Sequence, residues 1–133
     1  FVRGDKLIAR TRDHSYSELQ DTLAAVVPVG ERFNRNVLFT CLGSPGKPVV
    51  DTAGPLLMQP RDRVLLCSDG LSDMIEDATI ARLLQMHDDL AAAGSALIAA
   101  ANEAGGKDNI SLILMRMAGD SAGSGRPWWR FGR

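Results

Sequence analysis

Apolar and polar positions along this chain alternate over short stretches at first, then recur at helical spacing in the second half. Arg3-Gly4-Asp5-Lys6, followed by Leu7-Ile8-Ala9-Arg10, predicts a hairpin turn feeding a strand. Arg-Gly-Asp is also an integrin-binding tripeptide, but Gly-Asp is turn chemistry wherever it occurs. Residues 11–35 are polar and irregular, with a short helix expected over 17–25. A strand follows over 36–42, then a tight Gly/Pro loop over 43–48 and a weaker strand over 49–59, broken by Gly54-Pro55. Gln59-Pro60-Arg61-Asp62 predicts a turn before a buried strand over 64–67.

Asp77 is placed to N-cap a helix of about ten residues, with Ile80, Leu83, Leu84 and Met86 on its apolar side. A second, alanine-rich helix is expected over 92–104, with Leu97 and Ile98 facing its packing side and Gly105-Gly106 as its stop. The last strand spans 110–117. Strands and helices mix without regular alternation, so the predicted class is α+β. Beyond residue 118 the text becomes Gly/Ser-rich, as in a flexible linker, and ends in a tail carrying Trp128, Trp129 and Phe131 among Arg126, Arg130 and Arg133. That tail suits self-docking or disorder, with a partner or anionic membrane surface as the other reading.

Composition narrows the options. The chain has 133 residues, 45% apolar and 23% charged, which suits one globular domain with a real core. It begins at Phe1 rather than Met, so it is expected to be trimmed from something longer. A net charge of −1 and a pI near 6.1 provide no basic field, and no nucleic-acid partner is expected. No apolar run approaches the ~20 residues of a membrane span. Cys41 and Cys67 lie in apolar, strand-like text and are expected to be buried, reduced thiols of a cytoplasmic protein. With only His14 and His87 elsewhere, they make no zinc spacing.

Spacing also removes several familiar sites. Cys67 lacks the arginine that a cysteine phosphatase loop needs, no P-loop is complete, and no Gly-x-Ser-x-Gly elbow occurs. Acidic residues are the candidates left. Asp69 follows the apolar strand directly, with Gly70 permitting close approach of another group. Asp73 comes four residues later, on the same side if the chain turns helical at Leu71. Asp108 stands between the Gly105-Gly106 stop and the last strand, and Asp13 lies just after the first strand. Carboxylates clustered at strand ends repel unless a cation neutralises them, and oxygen-only ligands favour Mg²⁺ or Mn²⁺. Taken alone, the residues fit either a hard-metal site or solvated turn aspartates.

Four blocks in this order carry a family resemblance. Thr11-Arg12-Asp13-His14-Ser15, Asn36-Val37-Leu38-Phe39-Thr40-Cys41-Leu42-Gly43, Ser68-Asp69-Gly70-Leu71-Ser72-Asp73 and Gly106-Lys107-Asp108-Asn109-Ile110-Ser111 resemble blocks of the metal-dependent Ser/Thr protein phosphatases of the 2C type, with bacterial-type spacing. The resemblance covers residues 1–117 as the C-terminal part of such a domain, leaving 118–133 as linker and tail. It implies a β-sandwich flanked by helices in an α-β-β-α arrangement. It also implies hydrolysis of phosphoserine and phosphothreonine in proteins by a metal-activated water, using two or three Mn²⁺ or Mg²⁺ ions in the complete domain.

Carried over residue by residue, Asp69 and Asp108 match ligands of the binuclear centre, and Asp13, Asp69 and Asp73 match ligands of a third metal. His14 and Asn109 are expected to support rather than react, so no catalytic side chain is assigned among these residues. The resemblance places the family's remaining metal ligands, and its Gly-Asp-Ser-Arg strand, ahead of Phe1. The chain on its own is therefore expected to be inactive. Implied partners are a phosphorylated protein substrate and a Ser/Thr kinase pathway in bacterial signalling. The alternative is a non-catalytic regulatory or binding module that keeps the sandwich.

Overall fold

A turn between Arg3 and Lys6 starts the architecture. The computed structural model describes residues 1–22, 37–43 and 45–117. Gly4 takes φ +61° there, a left-handed conformation that a side chain disfavours, and so closes strand β1 (Val2–Arg3) onto β2 (Lys6–Leu7). Then come helix α1 (Tyr16–Thr22), strand β3 (Arg63–Cys67), the short helix α2 (Asp69–Ser72), helices α3 (Asp77–Met86) and α4 (Leu90–Glu103), and strand β4 (Leu112–Arg116). The four strands form one antiparallel sheet in the order β2-β1-β3-β4. The class is α+β, as the mixed pattern predicts.

The chain divides into two units, residues 1–9 with 57–133, and residues 10–56. In the first, α2, α3 and α4 supply the core: Leu71, Leu84 and Leu97 are fully buried, joined by Val2, Ile75, Ile80, Ala81, Ala93 and Ala101. Leu65, Leu112 and Leu114 pack against this core from the sheet. Helix α4 comes close to β4 because Gly94 has no side chain; a Cβ there would stand 3.3 Å from Leu112 Cδ1. The cross-strand pairs Leu66↔Ile113 and Val64↔Met115 alternate with the core-facing pairs. Leu66, Ile113 and Met115 are exposed.

In the second unit, residues 14–16 meet residues 37–39. Ser15 is buried and caps α1, its Oγ accepting the Glu18 N–H at 3.3 Å. It also forms an isolated bridge to Leu38, with the Tyr16 N–H donating to the Val37 carbonyl and the Phe39 N–H to the His14 carbonyl. Phe39 packs edge-on against Tyr16 at 6.0 Å.

Several expectations are corrected. Among the described residues the apolar text at 37–42 forms only that one bridge and then turns at Gly43 (φ +91°), because a strand needs a partner edge for its backbone groups. Among the described residues, 49–59 join no ladder, with Thr40 Oγ1 accepting the Val49 N–H at 3.0 Å instead. Strand β3 is not buried along its length. Among the described residues only Arg63 pairs on both edges, with Val2 and Arg116, and exposure rises toward Leu66 and Cys67, which pair there on one side alone.

Cys67 is therefore exposed, and so is Cys41 beside the Leu42–Gly43 turn, contrary to the buried thiols expected. Helix α3 begins at Asp77 rather than after it: Glu76 is the N-cap residue, its carbonyl accepting from Thr79 and Ile80. Asp89, by contrast, caps α4 with its side chain, accepting the Ala92 N–H at 2.8 Å. Leu97 faces the core as predicted, whereas Ile98 and Met86 are exposed. The helix expected over 17–25 is present as α1 up to Thr22, and its last residues lie outside the described ones, as do the linker and the Trp128-Trp129 tail.

Candidate metal centre at one end of the sheet

Ser68 joins two loops. Strand β3 ends at Cys67, and the Ser68 N–H continues the pairing by donating to the Ser111 carbonyl at 2.9 Å. The Ser68 hydroxyl then accepts the Ser111 N–H at 3.0 Å and donates to the Asn109 carbonyl at 3.0 Å. Three hydrogen bonds from one serine thus tie the β3–α2 junction to the segment that leads into β4. Gly70 tightens the junction. A Cβ at this buried position would run into the Asn109 carbonyl oxygen at a separation real Cβ atoms do not reach, and would stand 3.0 Å from its carbon and 3.3 Å from Asp108 C.

On the other side, α4 stops where predicted. Gly105 (φ +127°) and Gly106 (φ +51°) turn the chain, and the Gly106 N–H reaches back to the Ala101 carbonyl at 3.1 Å. This stop delivers Asp108 to the same place. The structure thus brings the Asp69 and Asp108 segments together. The Asp69 carboxylate accepts the Gly70 N–H at 2.9 Å, and the Asp108 carboxylate accepts the Asn109 N–H at 2.7 Å. Each is exposed and spends one oxygen locally; among the described residues the second oxygen takes no hydrogen bond. Asp73 follows as the C-cap of α2, its N–H donating to the Asp69 carbonyl at 2.8 Å, one helical turn on. The nearby Cys67 thiol, exposed but partly desolvated by its surroundings, is pushed up in pKa by that desolvation first, then by the Asp77 and Asp69 charges.

Asp13 belongs to the other unit, where it is exposed. Its neighbours are organised by Asp51, a residue that motif reading passed over. Asp51 accepts Arg12 Nε and Nη2 at 3.1 Å each, and meets His14 Nε2 at 3.2 Å. His14, then Arg12, hold the Asp51 carboxyl below its usual range. His14 also packs against Phe39 at 5.4 Å. It is therefore engaged by a carboxylate and a ring. Asp51 lies in Pro/Gly-rich text with no motif around it, so only contact geometry could single it out.

A metal ion can be tested against these donors. The set contains oxygen only, which suits a hard cation, and Gly70 gives the two segments the close approach such a cradle needs. Among the described residues, however, no three His, Cys, Asp or Glu side chains are grouped so as to hold an ion. Asp69 and Asp108 stand on adjoining segments, with Asp73 one helical turn beyond Asp69, and do not by themselves make a complete ligand set. Among the described residues no helix is long and apolar enough to cross a membrane.

Comparison with known proteins adds to this geometry. No protein-family profile matches the chain. It is 38% identical over 81 residues to a Listeria innocua serine/threonine phosphatase Stp, covering 61% of this chain and 32% of that protein. It is 28% identical over 123 residues to the Streptococcus pneumoniae protein phosphatase PhpP, covering 91% of this chain and 50% of that one. Among solved structures, PppA, a key regulatory component of T6SS in Pseudomonas aeruginosa, superposes with a TM-score of 0.71 at 30% identity, over 87% of this chain and 47% of that one. The S. agalactiae serine/threonine phosphatase gives 0.71 at 28% identity, with 84% and 47% covered. The chain therefore spans between about a third and a half of these relatives. Sequence and fold both bear out the resemblance read from the four blocks.

Proposed function

From a chain related to bacterial Ser/Thr phosphatases of the 2C type over part of their length, we propose that it supplies part of the metal site of a protein phosphoserine/phosphothreonine phosphatase. One observation carries the reading: the Ser68 and Gly70 contacts hold the Asp69 and Asp108 segments side by side at the end of β3 and β4. A pure scaffold has no need to bring two exposed carboxylate segments together, since like charges repel.

In this reading Asp69 and Asp108 hold Mn²⁺ or Mg²⁺, and Asp73 and Asp13 add ligands to a further, weaker position. Such an ion supplies Lewis-acid activation of water and neutralises phosphate charge. The chain's own residues orient: Ser68 locks the two loops, Gly70 lets them approach, and Asn109 fixes the Asp108 carboxylate through its N–H. The carboxylates grouped among the described residues are too few for a two-metal centre, so the 133-residue chain alone is proposed to bind metal without turning over substrate. Its residues 1–117 form the phosphatase part and 118–133 the linker and tail. Its partners are a phosphoprotein and an opposing Ser/Thr kinase pathway in the cytoplasm.

Calorimetric titration with Mn²⁺, beside p-nitrophenyl phosphate hydrolysis, tests this. Mn²⁺ binding that weakens in both Asp69→Asn and Asp108→Asn is expected, with no turnover. A chain that binds no Mn²⁺ is a regulatory module instead. Turnover by the purified chain, lost in Asp69→Asn, would refute the incomplete-site reading.

A further inference from the structure

The opposite end of the β3–β4 ladder concentrates positive charge. Arg63, the first residue of β3, lies directly across from Arg116, the last of β4. Like charges placed opposite one another in a ladder destabilise it unless something neutralises them. Arg61 joins them from two residues upstream, where its backbone sits at φ +73° in the turn before β3. All three guanidinium groups converge on one residue, Asp88, between α3 and α4. Arg61 Nη2 donates to Asp88 Oδ1 at 2.9 Å, and Arg116 Nη1 donates to the Asp88 carbonyl at 2.7 Å. Arg63 Nη2 reaches the same Oδ1 only at 3.8 Å.

One residue therefore serves three arginines, Arg116 through its backbone carbonyl and the other two through its carboxylate, and it serves Arg63 poorly. The Arg63 side chain is only 9% exposed, and its buried Nη1 has no hydrogen-bond partner among the described residues. A buried cationic donor left unpaired is costly, and such a group calls for a further acceptor. Asp88 itself is 74% exposed on an interhelical loop, so its side chain can swing away from the arginines. It carries one negative charge and two acceptor oxygens. A phosphoryl group carries about −1.5 to −2 and three acceptor oxygens, which better matches a trio whose net charge exceeds that of Asp88 by two.

We propose that Arg61, Arg63 and Arg116 form a binding site for a phosphate-type oxyanion, which Asp88 occupies as a resident carboxylate in the ligand-free chain. The site is separate from Asp69 and Asp108. Four residue steps of strand put Arg63 about 13 Å from the Cys67 end of β3. The inference does not depend on the phosphatase reading, since it needs neither a metal nor turnover.

The test is titration of the full chain with inorganic phosphate, in EDTA and at constant ionic strength, so that no metal contributes. Binding is read by calorimetry and by the ¹⁵N signals of the arginine side chains. Saturable binding that shifts the Arg63 guanidinium signal is expected. Asp88→Asn, which removes the competitor, should tighten it about tenfold, a gain that unfolding cannot mimic. Arg61→Gln and Arg116→Gln, both at exposed positions, should each weaken it about tenfold. Absence of saturable binding in both the wild type and Asp88→Asn overturns the proposal, as does binding that ignores both arginine substitutions. O-phosphoserine run in parallel distinguishes the source: tighter binding than phosphate assigns a protein-borne phosphoryl group, and equal or weaker binding assigns the free anion.

Discussion

Arg3 holds Asp62 through two hydrogen bonds, Nε to Oδ1 at 2.9 Å and Nη2 to Oδ2 at 2.8 Å, across 59 residues of sequence. The same carboxylate accepts the Gln59 N–H, and the Asp62 backbone carbonyl accepts from Met117. One buried acid thus ties the opening hairpin, the turn before β3 and the end of β4 to each other.

This pair sets a pH dependence. The Arg3 hydrogen bonds, supported by the Gln59 N–H, hold the Asp62 carboxyl below its ordinary value. A depressed folded-state pKa contributes stability that is present above the unfolded value of about 3.9 and lost as pH falls through the folded one. Urea midpoints measured downward from neutral pH should therefore fall once the pH passes below the ordinary carboxylate range. Asp62→Asn should lower the neutral-pH midpoint and flatten the acid limb. An unchanged acid limb in that variant would show that other groups set it.

Gly70→Ala should damage the candidate centre more than its small size implies. The added methyl meets backbone, which cannot move aside as a side-chain tip can. We expect a Tm several degrees lower and a Mn²⁺ affinity reduced at least tenfold, with Gly54→Ala as a neutral control at a position where a Cβ meets nothing within 4 Å. Equal behaviour of the two variants would remove the close-approach argument.

The carboxylates should act unequally. Asp69 and Asp108 sit on segments tied together by Ser68, whereas Asp73 lies one helical turn away. Mn²⁺ titrations of Asp69→Asn, Asp108→Asn and the double variant should reveal coupling between the two positions. Asp73→Asn should cost less affinity than either. Strict additivity of the pair would argue that they do not share an ion.

Stability should depend on α4 in a graded way. Leu97→Ala empties a fully buried position and should cost about 2–5 kcal/mol by denaturant unfolding. Asp89→Ala removes the side-chain cap and should cost about 1 kcal/mol. Ile98→Ala, at a residue 37% exposed, should cost less than Leu97→Ala, and the reverse order would contradict the packing described above.

Much of the fold was legible in the residues themselves. The Gly4 turn, the Gly105-Gly106 stop and the apolar spacing of Ile80 and Leu84 are local instructions, decided within one or two turns of chain. The acidic candidates were legible for the same reason, since Asp69 and Asp108 follow a strand end and a helix stop whose signals are local. Apolar text at 37–42 and 49–59 misled, because strand propensity does not provide a partner edge. The sequence by itself determined the α+β class, the helices that build the core and the acidic residues worth testing.

Only the tertiary structure decided which of these segments meet. It showed Ser68 locking the Asp108–Ser111 loop, Asp51 holding Arg12 and His14, and Asp88 facing three arginines. Each of these contacts joins residues that are 25 or more positions apart. Patterns of period two or three and a half carry no information at that range, so long-range contacts of this kind are settled by packing alone.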